Sequence, residues 1–309
     1  MKNITLLFFL NLLLSIIAQG QVLETKNWCL SKCDLAGDER SNTELVRLQL
    51  ENDSISQLIL HQEKQKVPLR VAIIQTDTTE VEIPELTIRK AINQLNHSFS
   101  KTNLVFYLKK TDVIYSELKL EDLSQNQYRT YDAFSDIYDL PNLITIYIFD
   151  HKEEFCQTTN TSISCGRTGG FSYILSDINS NIVMSRFDIS DIKILAHEMG
   201  HFWGLYHTFE ESQYGKDDFS EDGCSRLGDR VCDTPPDPGP LYEVYVNYND
   251  CEVLNLKNMD GFEYKPLIEN NMSYYKPCYL KEYSFTPGQI EVINAAATLH
   301  FRLKYIEFN

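Results

Sequence analysis

The sequence predicts an α/β fold. A twisted mixed sheet with helices fills the first two thirds of the chain. An irregular segment follows, closed by one last helix. Three observations carry this reading. Up to residue 204, short runs rich in β-branched and aromatic residues alternate with stretches of helical periodicity, the pattern of a sheet covered by helices. From there to Thr286, Gly, Pro, Asp, Asn and Tyr dominate, a composition suited to turns. Pro287 then stands where a helix can begin.

The chain has 309 residues and a formal net charge of −16. That acidity argues against nucleic acid or an anionic membrane as partner, since both attract basic surfaces. It is compatible with cationic protein substrates, and is more often simply the mark of a soluble surface; a monomer acting on protein or peptide substrates is expected. Residues 1–20 read as a signal peptide: Lys2, an apolar run over 6–17 and small residues at Ala18 and Gly20. The run is short for a membrane span, so a secreted, extracellular protein is expected. Residues 21–64 are polar, with a weak helical pattern at Leu45, Leu48, Leu58 and Ile59. They read as a pro-segment or N-terminal extension outside the core.

The elements follow in order. Residues 67–75 (VPLRVAIIQ) read as a buried strand. Residues 85–99 carry a helical stripe at Leu86, Ile88, Ile92, Leu95 and Phe99. A second strand spans 104–108, and 109–140 read as helix plus loop. Residues 142–149 (NLITIYIF) are the strongest strand signal. Gly169 and Gly170 open an edge strand over 171–175, and 181–185 form another strand. Asp188 or Ser190 can cap a helix running to about Trp203. The last helix is expected over 287 to about 304.

The stretch HEMGHFWGLYH, residues 197–207, gives these elements a purpose. His197 and His201 are four apart and share one face of the helix. Gly204 tolerates the backbone that ends a helix and turns the chain, which can return His207 to the same point. Three imidazoles with an open fourth position are a catalytic zinc site. Glu198 stands where a carboxylate can take a proton from water and pass it to a leaving amine. A different reading of the same residues is a catalytically silent zinc-bearing domain that binds a protein.

Eight cysteines suit an oxidising compartment. Cys156 and Cys165 flank a short loop. Cys224, Cys232, Cys251 and Cys278 can make two bridges in three pairings, and we expect the 224–232 loop to be tied to Cys251 and Cys278. Cys29 and Cys33 either pair with each other or supply a thiolate that closes the metal's open position in a latent zymogen. Asn52, Asn96 and Asn160 head N-x-Ser/Thr sequons.

Four stretches, HEMGHFWGLYHTF at 197–209, GDRVCDTPP at 228–236, NNMSY at 270–274 and FTPGQ at 285–289, resemble the pappalysin family of metzincin metallopeptidases. Weaker similarity extends over about residues 67–303. The resemblance implies a zinc endopeptidase with a cleft between an upper subdomain (65–204) and an irregular lower one (205–309). It implies His197, His201 and His207 as zinc ligands and Glu198 as general base and acid. Met272 becomes the methionine of a tight turn under the metal, and Tyr274 a donor to the tetrahedral intermediate. The family commonly has Asp where this chain has Ser273. It also implies calcium near 228–236, with Asp229 and Asp233 as candidate ligands. The bland reading there is two aspartates bonding their own turn. The edge strand over 169–174 would take an extended substrate by main-chain hydrogen bonds.

Overall fold

The computed structural model describes residues 46, 64–75, 82–117, 134–149, 155–158, 163–166, 169–175, 181–210, 224, 227–239, 246–254, 256–257, 261, 263–276, 278, 282–299 and 302–307. The stretch expected to be a signal peptide, Cys29 and Cys33, Asn52, Asn160 and the helical pattern at Leu45, Leu48, Leu58 and Ile59 lie outside these residues. Among the described residues no helix is long and apolar enough to cross a membrane.

Five strands make the main sheet: β1 (Gln65–Gln75), β2 (Leu104–Tyr115), β3 (Ile144–Phe149), β6 (Gly170–Ser172) and β7 (Asn181–Ser185), in the order β2-β1-β3-β7-β6. The first four in that order pair parallel, and β6 runs antiparallel to β7 at the edge. The sheet is mixed, as expected. Its alternating side chains serve two cores. Val67, Leu69, Val71 and Ile73 of β1, with Ile144, Ile146 and Ile148 of β3, face the larger cluster. Ala72, Ile74, Tyr147 and Phe149 face a smaller one on the other side. Burial on both faces explains why these strands read as continuous apolar runs.

Helix α1 (Glu85–Ser98), helix α2 (Ile192–Phe202) and helix α3 (Pro287–Ala297) bury residues in the larger cluster. The α1 face differs from the expected stripe: Leu86 is 63% exposed, and Ala91 takes its place beside Ile88, Ile92 and Leu95. Asn96 on α1 exchanges two hydrogen bonds of 2.7 Å with the backbone of Phe106 on β2. That sequon amide therefore locks helix to strand.

Several boundaries move. Strand β2 runs to Tyr115, where sequence suggested irregular chain from 109. Its polar residues 109–112 sit on an outer strand that pairs along the whole of β1, where charge facing water is ordinary. The cap of α2 is neither Asp188 nor Ser190. These lie in the turn leaving β7, and extended Asp191 accepts from the backbone N–H groups of Lys193 and Ile194. Helix α3 has Thr286 as cap in a full capping box with Gln289, and Pro287 inside its first turn. It ends at Ala297, short of 304, because the chain turns back. Tyr305 and Ile306 thereby reach the large core, and the Glu307 N–H bonds Lys66 O on β1. Val46 is buried in the same core, so the segment before residue 64 is not wholly outside it.

The irregular region holds a third cluster: Val246, Ile268, Tyr275 and the cysteines 251 and 278. Strands β8 (Val246–Asn247) and β9 (Glu252–Val253) form a small hairpin beside it. The disulfides correct the expected pairing. Cys224 joins Cys232 and Cys251 joins Cys278, with Cα separations of 4.9 and 5.9 Å, both within bonding range. Gly228 and Arg230, between Cys224 and Cys232, both adopt positive φ, as in a chain that turns sharply. In the hairpin of β4 (Phe155–Thr158) and β5 (Ile163–Gly166), Cys156 stands opposite Cys165 in register.

Candidate active site

Helix α2 presents His197 and His201 on one face, both buried. The helix stops where Gly204 adopts φ +97°. Its N–H returns to His201 O, and the Leu205 N–H to Gly200 O, a left-handed helix end of the kind glycine favours. This reversal delivers His207. The Nε2 atom of His201 lies 3.1 Å from those of both His197 and His207. Among the described residues these three form the one His/Cys/Asp/Glu group close enough to share a metal ion.

The outer nitrogens decide the tautomer. His197 Nδ1 is 2.7 Å from Asn271 O, and His201 Nδ1 is 2.7 Å from Leu205 O. A carbonyl only accepts, so each Nδ1 carries the proton and each Nε2 turns a lone pair inward. Burial, and then the facing imidazoles, push both histidines well below the ordinary value, which keeps them neutral. Two lone pairs 3.1 Å apart cannot hydrogen-bond each other. Tetrahedral zinc with bonds of about 2.0–2.1 Å sets its ligands about 3.3 Å apart, so the donor set fits that ion.

Met272 packs beneath. It is fully buried, and its Sδ occupies the space a β-carbon on Gly200 would need. The turn around it is held by Asn270, whose Oδ1 accepts from the Met272 N–H at 2.8 Å. The amides of Asn270 and Gln289 bond each other in both directions, at 2.8 and 3.2 Å. Tyr274 follows, its ring 5.5 Å from His197 and 4.8 Å from His207 between centroids. Glu198 is fully buried and lies against β6. A β-carbon on Gly170 would come within 3.3 Å of Glu198 Cγ and 2.8 Å of Val183 O. The edge strand passes over the helix only because residue 170 lacks a side chain.

Several supports carry no motif of their own in the sequence. Lys193 is buried in the first turn of α2 and donates from Nζ to Tyr275 O at 2.6 Å and to Ser273 Oγ at 3.3 Å. Arg302 donates to Phe202 O at 2.8 Å, at the other end of α2, where a cation suits the helix dipole. Asp237, fully buried, accepts from Thr208 Oγ1, Tyr275 OH and the Gly239 N–H. Polar residues in loop sequence gave no sign of these roles.

The two calcium candidates differ. Asp233 is engaged at the start of α3, accepting from Thr286 Oγ1 at 2.6 Å and the Gly288 N–H at 2.8 Å. Asp229 is buried, and its Oδ1 accepts from the Val231 N–H and Thr234 Oγ1. Among the described residues its Oδ2 has no hydrogen-bond partner. Burial pushes this carboxyl up to about 8.

Two helix histidines, a third returned by a glycine turn and a methionine buried beneath them form a site of the metalloprotease type. Residues 128–298, more than half the chain, match the peptidase M43 family described as pregnancy-associated plasma protein-A, and the chain belongs to that family, the pappalysins. An extracellular metalloprotease of Pyricularia oryzae is 24% identical over 222 residues, which is 72% of this chain and 70% of that protein. One from Arthroderma benhamiae is 32% identical over 116 residues, 37% of this chain and 33% of its own length. A mutant promirolysin from Tannerella forsythia shares the fold, with TM-score 0.54 and 13% identity over 85% of this chain and 94% of that one.

Proposed function

We propose that the protein is a secreted zinc endopeptidase that hydrolyses peptide bonds in protein substrates. The observation that carries this reading is the convergence of the His197, His201 and His207 Nε2 atoms, two of them with the tautomer fixed by a carbonyl behind the ring. His197, His201 and His207 would hold a zinc ion, which would supply Lewis acidity for activating water and the scissile carbonyl. Glu198 accepts the proton from that water and returns it to the leaving amine. The Tyr274 hydroxyl donates to the developing oxyanion. Met272 forms the floor, and Ser273 stands in the family's Asp position, bonded to Asn270 O at 2.8 Å. The outer strand β6, at the end of the sheet, takes the substrate as an added strand, laid across a cleft between residues 65–204 and 205–309.

Secretion rests on the N-terminal apolar run, the disulfides and the extracellular relatives. A calcium ion at Asp229 is supported by its Oδ2 and by the neighbouring Thr234. Latency through Cys29 or Cys33 belongs to the same reading.

Glu198→Gln should retain zinc and fold while losing cleavage of a denatured protein panel. Full activity in that variant would overturn the mechanism. Zinc binding without any cleavage by the wild type would favour a silent binding domain.

A further inference from the structure

Two residues of the proposed machinery are each followed by a side chain that reaches one buried carboxylate. Thr208 comes after His207, and its Oγ1 donates to Asp237 Oδ2 at 2.6 Å. Tyr275 comes after Tyr274, and its hydroxyl donates to Asp237 Oδ1 at 2.8 Å. The Gly239 N–H, 2.8 Å from Oδ1, fixes the carboxylate itself. Asp237 has no exposure, so both its oxygens are committed in a place where an anion is costly without donors. Charge-assisted bonds of this kind are short and directional.

The backbone repeats the connection. The Thr208 N–H donates to Met272 O at 3.2 Å, and Lys193 Nζ holds Tyr275 O at 2.6 Å. The chain leaving the third histidine and the chain leaving the tyrosine are therefore referenced to one point. The two rings they position stand 4.8 Å apart. A loop anchor serving stability alone would have no reason to join these two segments rather than any others.

We propose that Asp237 is a positioning residue that sets the Tyr274 hydroxyl against the His207 side of the metal, through Tyr275 and Thr208. This rests on the zinc peptidase reading, and it predicts that the two arms separate. Thr208→Val frees the His207 arm. Tyr275→Phe frees the Tyr274 arm. Both leave the carboxylate in place, so they decide the matter even where Asp237→Asn fails to fold.

The test uses the mature protein, with zinc affinity by chelator competition, kcat and KM on a cleaved peptide, and thermal melting. Thr208→Val should weaken zinc binding by about tenfold, the range of outer-shell changes, and Thr208→Ser should restore it. Tyr275→Phe should keep zinc affinity within about twofold and lower kcat by about tenfold with KM little changed, the sign of a contact made in the transition state. Variants that melt lower but keep wild-type zinc affinity and kcat would overturn the proposal. A wild type that binds zinc and cuts nothing would instead defeat the peptidase reading, and unchanged zinc affinity in Thr208→Val would still defeat this one.

Discussion

Gly200 and Met272 occupy one space: a β-carbon on Gly200 would lie 2.5 Å from Met272 Sδ and 3.4 Å from its Cε. The glycine sits between His197 and His201 of α2, where most side chains other than proline would raise helix propensity. The methionine turn takes up the missing volume. The helix and the turn that supplies the Asn271 carbonyl to His197 are thus packed at contact distance.

Gly200→Ala tests that contact with opposing terms. In an open helix the change is worth up to about 1 kcal/mol of added stability. Here Sδ is mid-chain and fully buried, so it cannot swing aside, and overpacking costs about 1–3 kcal/mol. The net effect should be a lower melting temperature and weaker zinc binding, through displacement of the turn. A melting temperature equal to or above wild type would show that Met272 yields freely.

Acid should undo the site from within. Unfolded imidazoles titrate near 6.5, while burial and the facing rings hold His197 and His201 well below it. As pH falls below 6.5, the unfolded chain takes up protons that these two refuse, so folding stability drops. Subtracting the profile of a variant carrying His197→Gln and His201→Gln isolates their share. In chelator, the wild-type advantage should shrink steadily from pH 7 to pH 5. A flat difference would mean the rings are not held neutral by burial.

Asp229 should act with the opposite sign. Its carboxyl is pushed up from 3.8 to about 8, so between about pH 4 and pH 8 the folded state binds more protons than the unfolded one. Stability therefore falls as pH rises through that window and stays reduced above it. Asn at this position keeps the oxygen that the Val231 N–H and Thr234 Oγ1 bond and does not titrate in either the folded or the unfolded chain. Asp229→Asn should be the more stable protein at pH 7.5 in chelator, by on the order of a few kcal/mol, and should therefore melt higher. Millimolar calcium should reverse the order. The same ranking with and without calcium would argue for an ordinary buried carboxyl.

What sequence disclosed here was local. His197, Glu198, His201, Gly204 and His207 fall within eleven residues, so helix geometry and one turn suffice to relate them. The strands β1, β3 and β7 were legible because two-sided burial leaves unbroken apolar runs. The supports were hidden by distance. Asn271 O reaches His197 across 74 positions, Lys193 reaches Tyr275 across 82, and Asp237 gathers donors 29 and 38 positions away. Polar residues in loops carry no periodicity that announces such partners. The α1 face was misjudged at Leu86 because Ala91 is too small to register in a stripe of large side chains.

The disulfides show the same limit, and they give unequal predictions. Spacing left three pairings open, and the folded chain brings together Cys224 with Cys232 and Cys251 with Cys278. Chain entropy grows with the loop closed. The 27-residue separation of Cys251 and Cys278 should be worth about 3–4 kcal/mol, and the 8-residue separation of Cys224 and Cys232 about 2–3 kcal/mol. Function should split them further. Cys251 and Cys278 are packed in one buried cluster with Tyr275, the residue after Tyr274. Replacing both cysteines of that bridge with serine should lower kcat as well as the melting temperature. The Cys224 and Cys232 pair of replacements should lower the melting temperature by less. Equal losses of kcat per degree of melting in the two variants would mean that the longer bridge only stabilises and does not hold Tyr274 in place.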